Sequence, residues 1–403
     1  MTLPKTRLAD LALLGGSRAF PGTLYVGRPN LGDRRRLHER LDEILDRRWL
    51  TNQGPCVLEF EERLAALAGV PHCLAVCNAT VGLEILLRAT ELRGEVIVPS
   101  FTFIATVHAL HTVGLTPVFC DVDPATHSLD HRRVAELITP RTAGILAVHL
   151  WGRAAAVDEL TVLAERHGLT LLFDAAHALH ASSHGRPVGG FGRAEVFSFH
   201  GTKFVNSFEG GAITTHDAAL AERLRLHRNF GFAGYDHVVS PGTNGKMSEI
   251  AAAMGLTSLD AMPDFVGVNA RNYAAYQAGL ANLPGLELFP YDPAERNNYQ
   301  YVVLTLDAAR TGLSRDLLVR ALQAENVLAR RYFHPGCHRM EPYRTLQPRA
   351  GGTLPVTERL ADSVFALPTG TAVDPAAIAA LCDLLRFLLA HGPALTAAAP
   401  PAP

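Results

Sequence analysis

The chain is poor in the features that would send it to a membrane, an oxidising compartment or a nucleic acid. No run comes near the roughly 20 apolar residues that cross a bilayer. The N-terminal MTLPKTRLADLALLGGS carries Asp10 inside an apolar stretch too short for a secretory signal. Six cysteines in 403 residues, at positions 56, 73, 77, 120, 337 and 382, are scattered, so they read as reduced and mostly buried thiols and not as a disulfide framework. Lysine and arginine (37) fall just short of aspartate and glutamate (39), a formal net charge of -2, which removes the general cationic field that nucleic-acid binding uses. These absences predict a soluble, cytoplasmic protein that holds any anionic ligand with local groups. Charged residues, at 19%, lie below the usual quarter and leave surface for a partner subunit to cover.

What is present is a long alternation of strands and helices. An irregular arm rich in Pro, Gly and Arg leads to a helix over 31–46 and an amphipathic helix over 56–68, whose Val57, Phe60, Leu64 and Leu67 share one face. Strands at 74–77, 95–98, 116–122, 144–152 and 169–174 then alternate with helices at 81–89, from 104, at 132–138 and at 157–167. That order predicts an α/β fold with a large, mostly parallel, doubly wound sheet joined by right-handed crossovers. Ligands of such sheets sit at the carboxyl ends of the strands, which collects Asn78, Phe103 and Asp174 on one rim. Beyond a long helix at 264–281, the segments LPGLELF, NNYQYVVLTL, a helix at 314–325 and NVLARRYF predict a smaller α/β domain with an antiparallel sheet. The expected division is an arm and large domain over 1–260, a C-terminal domain over 261–392 and a disordered Pro- and Ala-rich tail over 393–403.

The chemistry concentrates between Asp174 and Gly211, in DAAHALHASSHGRPVGGFGRAEVFSFHGTKFVNSFEGG. Asp174 closes an apolar strand, and Lys203 follows the short strand 195–199 among glycines that let backbone crowd a ligand. A shielded lysine and a strand-end acid are what pyridoxal phosphate (PLP) requires: an amine to hold its aldehyde, and a carboxylate to keep its ring nitrogen protonated. Asn78-Ala79-Thr80, between a strand and a helix, presents backbone N–H groups suited to a phosphate; a simple Thr cap is the alternative. Phe103 is either core or a face for stacking a planar ring. His177, His180 and His184 follow no standard ligand spacing and no carboxylate or cysteine pair accompanies them, so no metal is expected. The loop ARRYFHPGCHRMEPYR, at 329–344, mixes cations with aromatics in a way that suits a nucleotide diphosphate as well as a solvated surface.

In order and spacing, Asp174-Ala175-Ala176-His177, the Gly-rich stretch 185–192, Ser198-Phe199-His200-Gly201-Thr202-Lys203 and Glu209-Gly210-Gly211 resemble the signature of the DegT-type sugar aminotransferases, PLP enzymes of fold type I. The resemblance spans about residues 28 to 391, and it implies Lys203 and Asp174 as catalytic residues. It implies Ala79 (where the family has glycine), Thr80 and Ser198 at the cofactor phosphate, Phe103 on the ring face and His177 beside the ring oxygen. It places Asn244, in the turn GTNGKM, in the neighbouring subunit's site, and hence a homodimer with shared active sites. The small-residue helix that begins at Ser248 is expected to pack at an interface. Tyr332, His338 and Arg331 are implied as substrate-binding residues. The expected reaction moves an amine from a donor, typically glutamate, to a keto sugar carried on a nucleotide, most like formation of dTDP-4-amino-4,6-dideoxyglucose. A 3-aminotransferase, an inosose aminotransferase and a PLP-binding sensor remain alternatives.

Overall fold

In the computed structural model, which describes residues 4–347 and 350–401, side-chain caps and glycines set the ends of the helices. Helix α1 (Arg34–Arg47) starts where the Asp33 carboxylate accepts the N–H groups of Arg35 and Arg36. Helix α2 (Pro55–Ala68) opens on a proline and stops at Gly69, whose φ of 67° is the left-handed conformation that glycine adopts without strain. The alternation then runs β1 (His72–Val76), α3 (Ala79–Ala89), β2 (Glu95–Pro99), α4 (Ile104–Thr112), β3 (Thr116–Cys120), α5 (His131–Leu137), β4 (Thr142–Val148), α6 (Val157–His167), β5 (Thr170–Asp174), β6 (Ala194–Ser198), β7 (Gly211–Thr215) and α7 (Ala218–Arg228).

These strands form one seven-stranded sheet in the order β1-β7-β6-β5-β4-β2-β3. All neighbours are parallel except β7, which runs antiparallel to both β1 and β6. Because side chains alternate along a strand, the two faces bury different residues. Ala75, Ile97, Ile145, Phe173 and Phe197 pack with α2 and α6 on one side, whereas Leu74, Val96, Leu146, Leu172 and Val196 pack with α3, α4 and α7 on the other. After the exposed hairpin β8 (Phe232–Gly234) and β9 (His237–Val238) comes α8 (Glu249–Asp260), then α9 (Met262–Gly279). The small residues of α8 are buried in the interior of this subunit. A Cβ on Gly255 would stand 2.7 Å from the Phe60 ring of α2, and the buried Glu249 carboxylate accepts the N–H groups of Cys56 and Val57.

The C-terminal part contains β10 (Leu286–Leu288), β11 (Val302–Leu306), α10 (Arg315–Ala324), α11 (Pro355–Ser363), β12 (Val364–Leu367) and α12 (Pro375–Ala390). Strands β10, β11 and β12 pair antiparallel. The strand expected through NVLARRYF shrinks to Val327–Leu328, which pairs with Leu24–Tyr25 of the N-terminal arm. That arm belongs to the core of the smaller unit: Leu11, Ala19 and Phe20 pack with Val302, Leu318 and Phe365. Glu325, fully buried, fastens it by accepting the N–H groups of Ala12 (2.8 Å) and Ala19 (2.6 Å) and pairing with Lys5 at 3.0 Å. The tail also departs from expectation. Residues 392–398 form α13 (Gly392–Ala398), which buries Leu395 in the same core, while 402–403 lie outside the described residues. No single helix among the described residues is long and apolar enough to cross a membrane.

Candidate active site

The carboxyl edge of the sheet opens into a cavity of about 540 Å³. Four strands deliver its floor. The turn after β1 brings Asn78, Ala79 and Thr80, the segment after β2 brings Phe103, β5 ends on Asp174, and β6 ends on Ser198. The antiparallel course of β7 places its first residue, Gly211, at this same edge, opposite Val76 and Ser198. A Cβ there would stand 2.7 Å from the Ala79 nitrogen and 2.9 Å from the Asn78 carbonyl carbon. The glycine is therefore what lets the turn after β1 close against β7.

Asn78 caps α3 by accepting the Val81 N–H at 2.9 Å. The amides of Ala79 and Thr80, first in the helix, have no carbonyl behind them in it, and with the helix dipole they offer an anion a cup. Ala79 is already helical, so this position needs no glycine. The cap that was the alternative reading of Thr80 is made by Asn78, and Thr80 itself lines the cavity.

Asp174 is buried and held from two sides. The Thr106 hydroxyl donates to it at 2.8 Å and the Ala176 N–H at 3.0 Å. Burial nevertheless pushes its carboxyl above the usual range, against the pull of those two bonds and of the Lys203 charge. Lys203 is half-buried, and the low-dielectric walls hold its ammonium down at about 8, with Asp174 opposing. Its Nζ lies 3.4 Å from the Tyr301 hydroxyl, a phenol that burial keeps protonated. His177 is buried beside Tyr301, with ring centroids 4.5 Å apart, and burial followed by the Lys203 charge drives it well below the usual imidazole value. It is neutral, and its Nδ1 is buried without a partner. Phe103, at 58% exposure, leaves an aromatic face bare inside the cavity, where a planar ring would recover its burial.

This donor set fits PLP. The cup would take a phosphate, Phe103 and His177 would flank a flat ring, and Asp174, which forms no ion pair among the described residues, would meet a protonated ring nitrogen. Lys203 is an amine with a lowered proton affinity. Asp174, His177, Ser198, Lys203, Ala79, Thr80, Phe103 and Tyr332 all line the one cavity.

Two expected residues do not reach it, and a third, Asn244, was expected in a neighbouring subunit's site. Arg331 turns to Asp316 at 3.3 Å on the surface. His338 is buried and joins the two units: its Nδ1 meets the Ser100 hydroxyl at 2.6 Å and its Nε2 meets Glu358 at 3.4 Å. Asn244 is exposed and outside this subunit's cavity; its neighbour across an isolated β-bridge is Asn229. Of the other two histidines, His184 pairs with Asp158 at 2.9 Å, away from His177. Residues of the cavity given no individual role from the sequence include Tyr301, Arg330 and Phe333 of the 329–344 loop, and Glu209, which lies 3.5 Å from His200. Glu209 and the 329–344 loop carried their signal as motifs, whereas Tyr301 looked like an ordinary residue before an apolar strand.

A model of the DegT/DnrJ/EryC1/StrS aminotransferase family matches residues 33–386. The dTDP-4-amino-4,6-dideoxy-D-glucose transaminase of Escherichia coli is 35% identical over 366 residues, 90% of this chain and 98% of the relative. The erythromycin biosynthesis sensory transduction protein EryC1 of Saccharopolyspora erythraea is 37% identical over 321 residues, 79% of this chain and 86% of the relative. The crystal structure of DesI in the presence of its TDP-sugar product aligns with a TM-score of 0.93 and 56% identity, covering 97% of this chain and 99% of that one.

Proposed function

From the premise that the chain belongs to the DegT/DnrJ/EryC1/StrS aminotransferase family, with its fold type I architecture, we propose that it aminates a nucleotide-linked keto sugar at the cavity around Lys203. The substrate of this reading is dTDP-4-keto-6-deoxyglucose, the product dTDP-4-amino-4,6-dideoxyglucose and the donor glutamate. The similar chains named above support that choice of product. The observation that carries it is the placement, in one cavity, of a lysine held down at about 8 opposite a buried aspartate that is held by hydrogen bonds and forms no ion pair among the described residues.

PLP, when bound, supplies an aldehyde carbon to carry the amine and a ring that accepts electrons from the substrate carbon. The protein does the rest. Ala79 and Thr80 amides, with Ser198, hold the phosphate; Phe103 covers one ring face and keeps water from it. Asp174, fixed by Thr106 and Ala176, holds a proton on the ring nitrogen. Lys203 takes and returns the proton at the amine-bearing carbon, and a value near 8 leaves roughly a tenth of it neutral at pH 7.

Two copies of the chain make the functional unit in this reading, each lending Asn244 to the other's cavity. Support comes from the hairpin just before it, which leaves Phe230, Phe232, Tyr235 and Val238 exposed, a set of apolar side chains suited to burial against a second subunit. With it goes a cytoplasmic location, the compartment in which free thiols such as its six cysteines persist.

The test is to load the purified protein with PLP, add glutamate and follow the visible absorption, then supply the keto sugar and identify the product. Loss of the band with glutamate and a 4-amino product are expected. Amination at another carbon sinks the sugar assignment, and a band indifferent to every amino donor favours a sensor.

A further inference from the structure

The geometry points to Arg330 as the residue that grips the oxyanion of the incoming substrate, a carboxylate or a diphosphate, inside the cavity. Which molecule carries that oxyanion rests on the functional reading above; the anion site itself rests on the placement of the side chain.

Arg330 and Arg331 are neighbours in a segment of extended backbone, and the parity of that segment sends them apart. Arg330 exchanges two backbone bonds with Ala366 of β12, donating at 3.1 Å and accepting at 2.8 Å. Ala329, the residue before it, is buried. Arg331 is spent on Asp316, whereas Arg330 lines the cavity and has no carboxylate within ion-pair distance among the described residues. Its guanidinium lies 5.8 Å from the centre of the Tyr332 ring, a cation–π contact that restricts the fork to one region of the wall.

Lys203 is set against the Asp174 charge in the same cavity, and Glu209 lies 3.5 Å from the His200 ring. One guanidinium is left over, on a backbone pinned at both its N–H and its C=O. A planar fork of this kind takes a carboxylate or phosphate through two parallel bonds, which an ammonium cannot copy. An amino acid donor carries carboxylates and a nucleotide-linked sugar carries a diphosphate. Since donor and acceptor occupy the cavity in turn, the same cation can serve each.

The experiment titrates the PLP-loaded protein by calorimetry with two unreactive probes, glutarate and thymidine diphosphate, for the natural chain, Arg330→Gln, Arg330→Lys and Arg331→Gln. We expect at least one probe to bind the natural chain, Arg330→Gln to weaken it tenfold or more, Arg330→Lys to recover only part of that loss, and Arg331→Gln to bind as the natural chain does. Weakening confined to glutarate names the donor as the oxyanion's source; weakening confined to the diphosphate names the sugar nucleotide; weakening of both makes the site shared. Undiminished binding of both probes in Arg330→Gln, or no binding of either by the natural chain, overturns the assignment. A protein that binds these anions through Arg330 yet moves no amine would refute the aminotransferase reading and leave this site standing.

Discussion

Lys203 and Asp174 were legible because their chemistry leaves few substitutes: an aldehyde needs a primary amine, and a protonated ring nitrogen needs an acid. Replacing Lys203 by Ala should lower amino transfer by at least about a thousandfold and abolish the visible band that PLP gives on the natural protein. In the natural protein, the rate at which added PLP is captured should rise about tenfold per pH unit up to 8 and level off above it, since burial holds the amine near that value and only its neutral form attacks. A capture rate still climbing at pH 10 would show an ordinary, solvated lysine. Asp174 gives a prediction of opposite kind for stability. Its carboxyl is held above its unfolded value, so charging it costs the cofactor-free fold stability once the pH passes that unfolded value. Asp174→Asn should therefore cut turnover at least about a hundredfold while the cofactor-free protein melts no lower than the natural one at pH 7. The neighbouring arginines show where residue-level reading stops. Composition makes Arg330 and Arg331 equal, and only the bridge to Ala366 decides which of them faces the cavity.

At the scale of elements, the periodic helices and apolar strands declared themselves, while the features that close the site depend on contacts distant in sequence. Gly211 looked like one of two glycines ending a motif, and its reason is the approach of the Asn78-Ala79 backbone. Gly211→Ala should force those strands apart, costing about 1–3 kcal/mol in denaturant unfolding and weakening PLP binding together. An alanine variant with natural PLP affinity would show that the turn has room to spare. The C-terminal residues teach the converse. Their Pro and Ala content argued for disorder, yet α13 is a seven-residue helix that seats Leu395 in the core of the smaller unit. Leu395→Ala should destabilise that unit by roughly 2–4 kcal/mol, measured by calorimetric unfolding. A free tail would leave the transition where it was.

At the scale of the whole molecule, the α/β architecture and the existence of a smaller antiparallel unit followed from element order alone, but the membership of the arm did not. Residues 8–20 are tied by Glu325 to a core formed three hundred positions later, a link no local pattern encodes. The same scale decides whether the cavity is complete in one chain. If Asn244 works in a partner's cavity, mixing inactive Lys203→Ala and Asn244→Ala subunits should restore activity, up to about a quarter of natural turnover after random exchange, because half the pairs are mixed and each mixed pair has one intact site. No recovery in demonstrated mixed pairs would place the asparagine elsewhere.

The order of the large sheet also has a consequence for how the chain is made. Strand β1 sits at an edge and is bonded within the sheet only to β7, so during translation it emerges early and stays unpartnered until residues beyond Gly211 have left the ribosome. The nascent chain must carry that segment without its strand partner for more than a hundred residues of synthesis. The turn at Asn78–Thr80, which Gly211 closes, is thus completed only once β7 has been made, and a product released before Thr215 would reach the cell's chaperones without it.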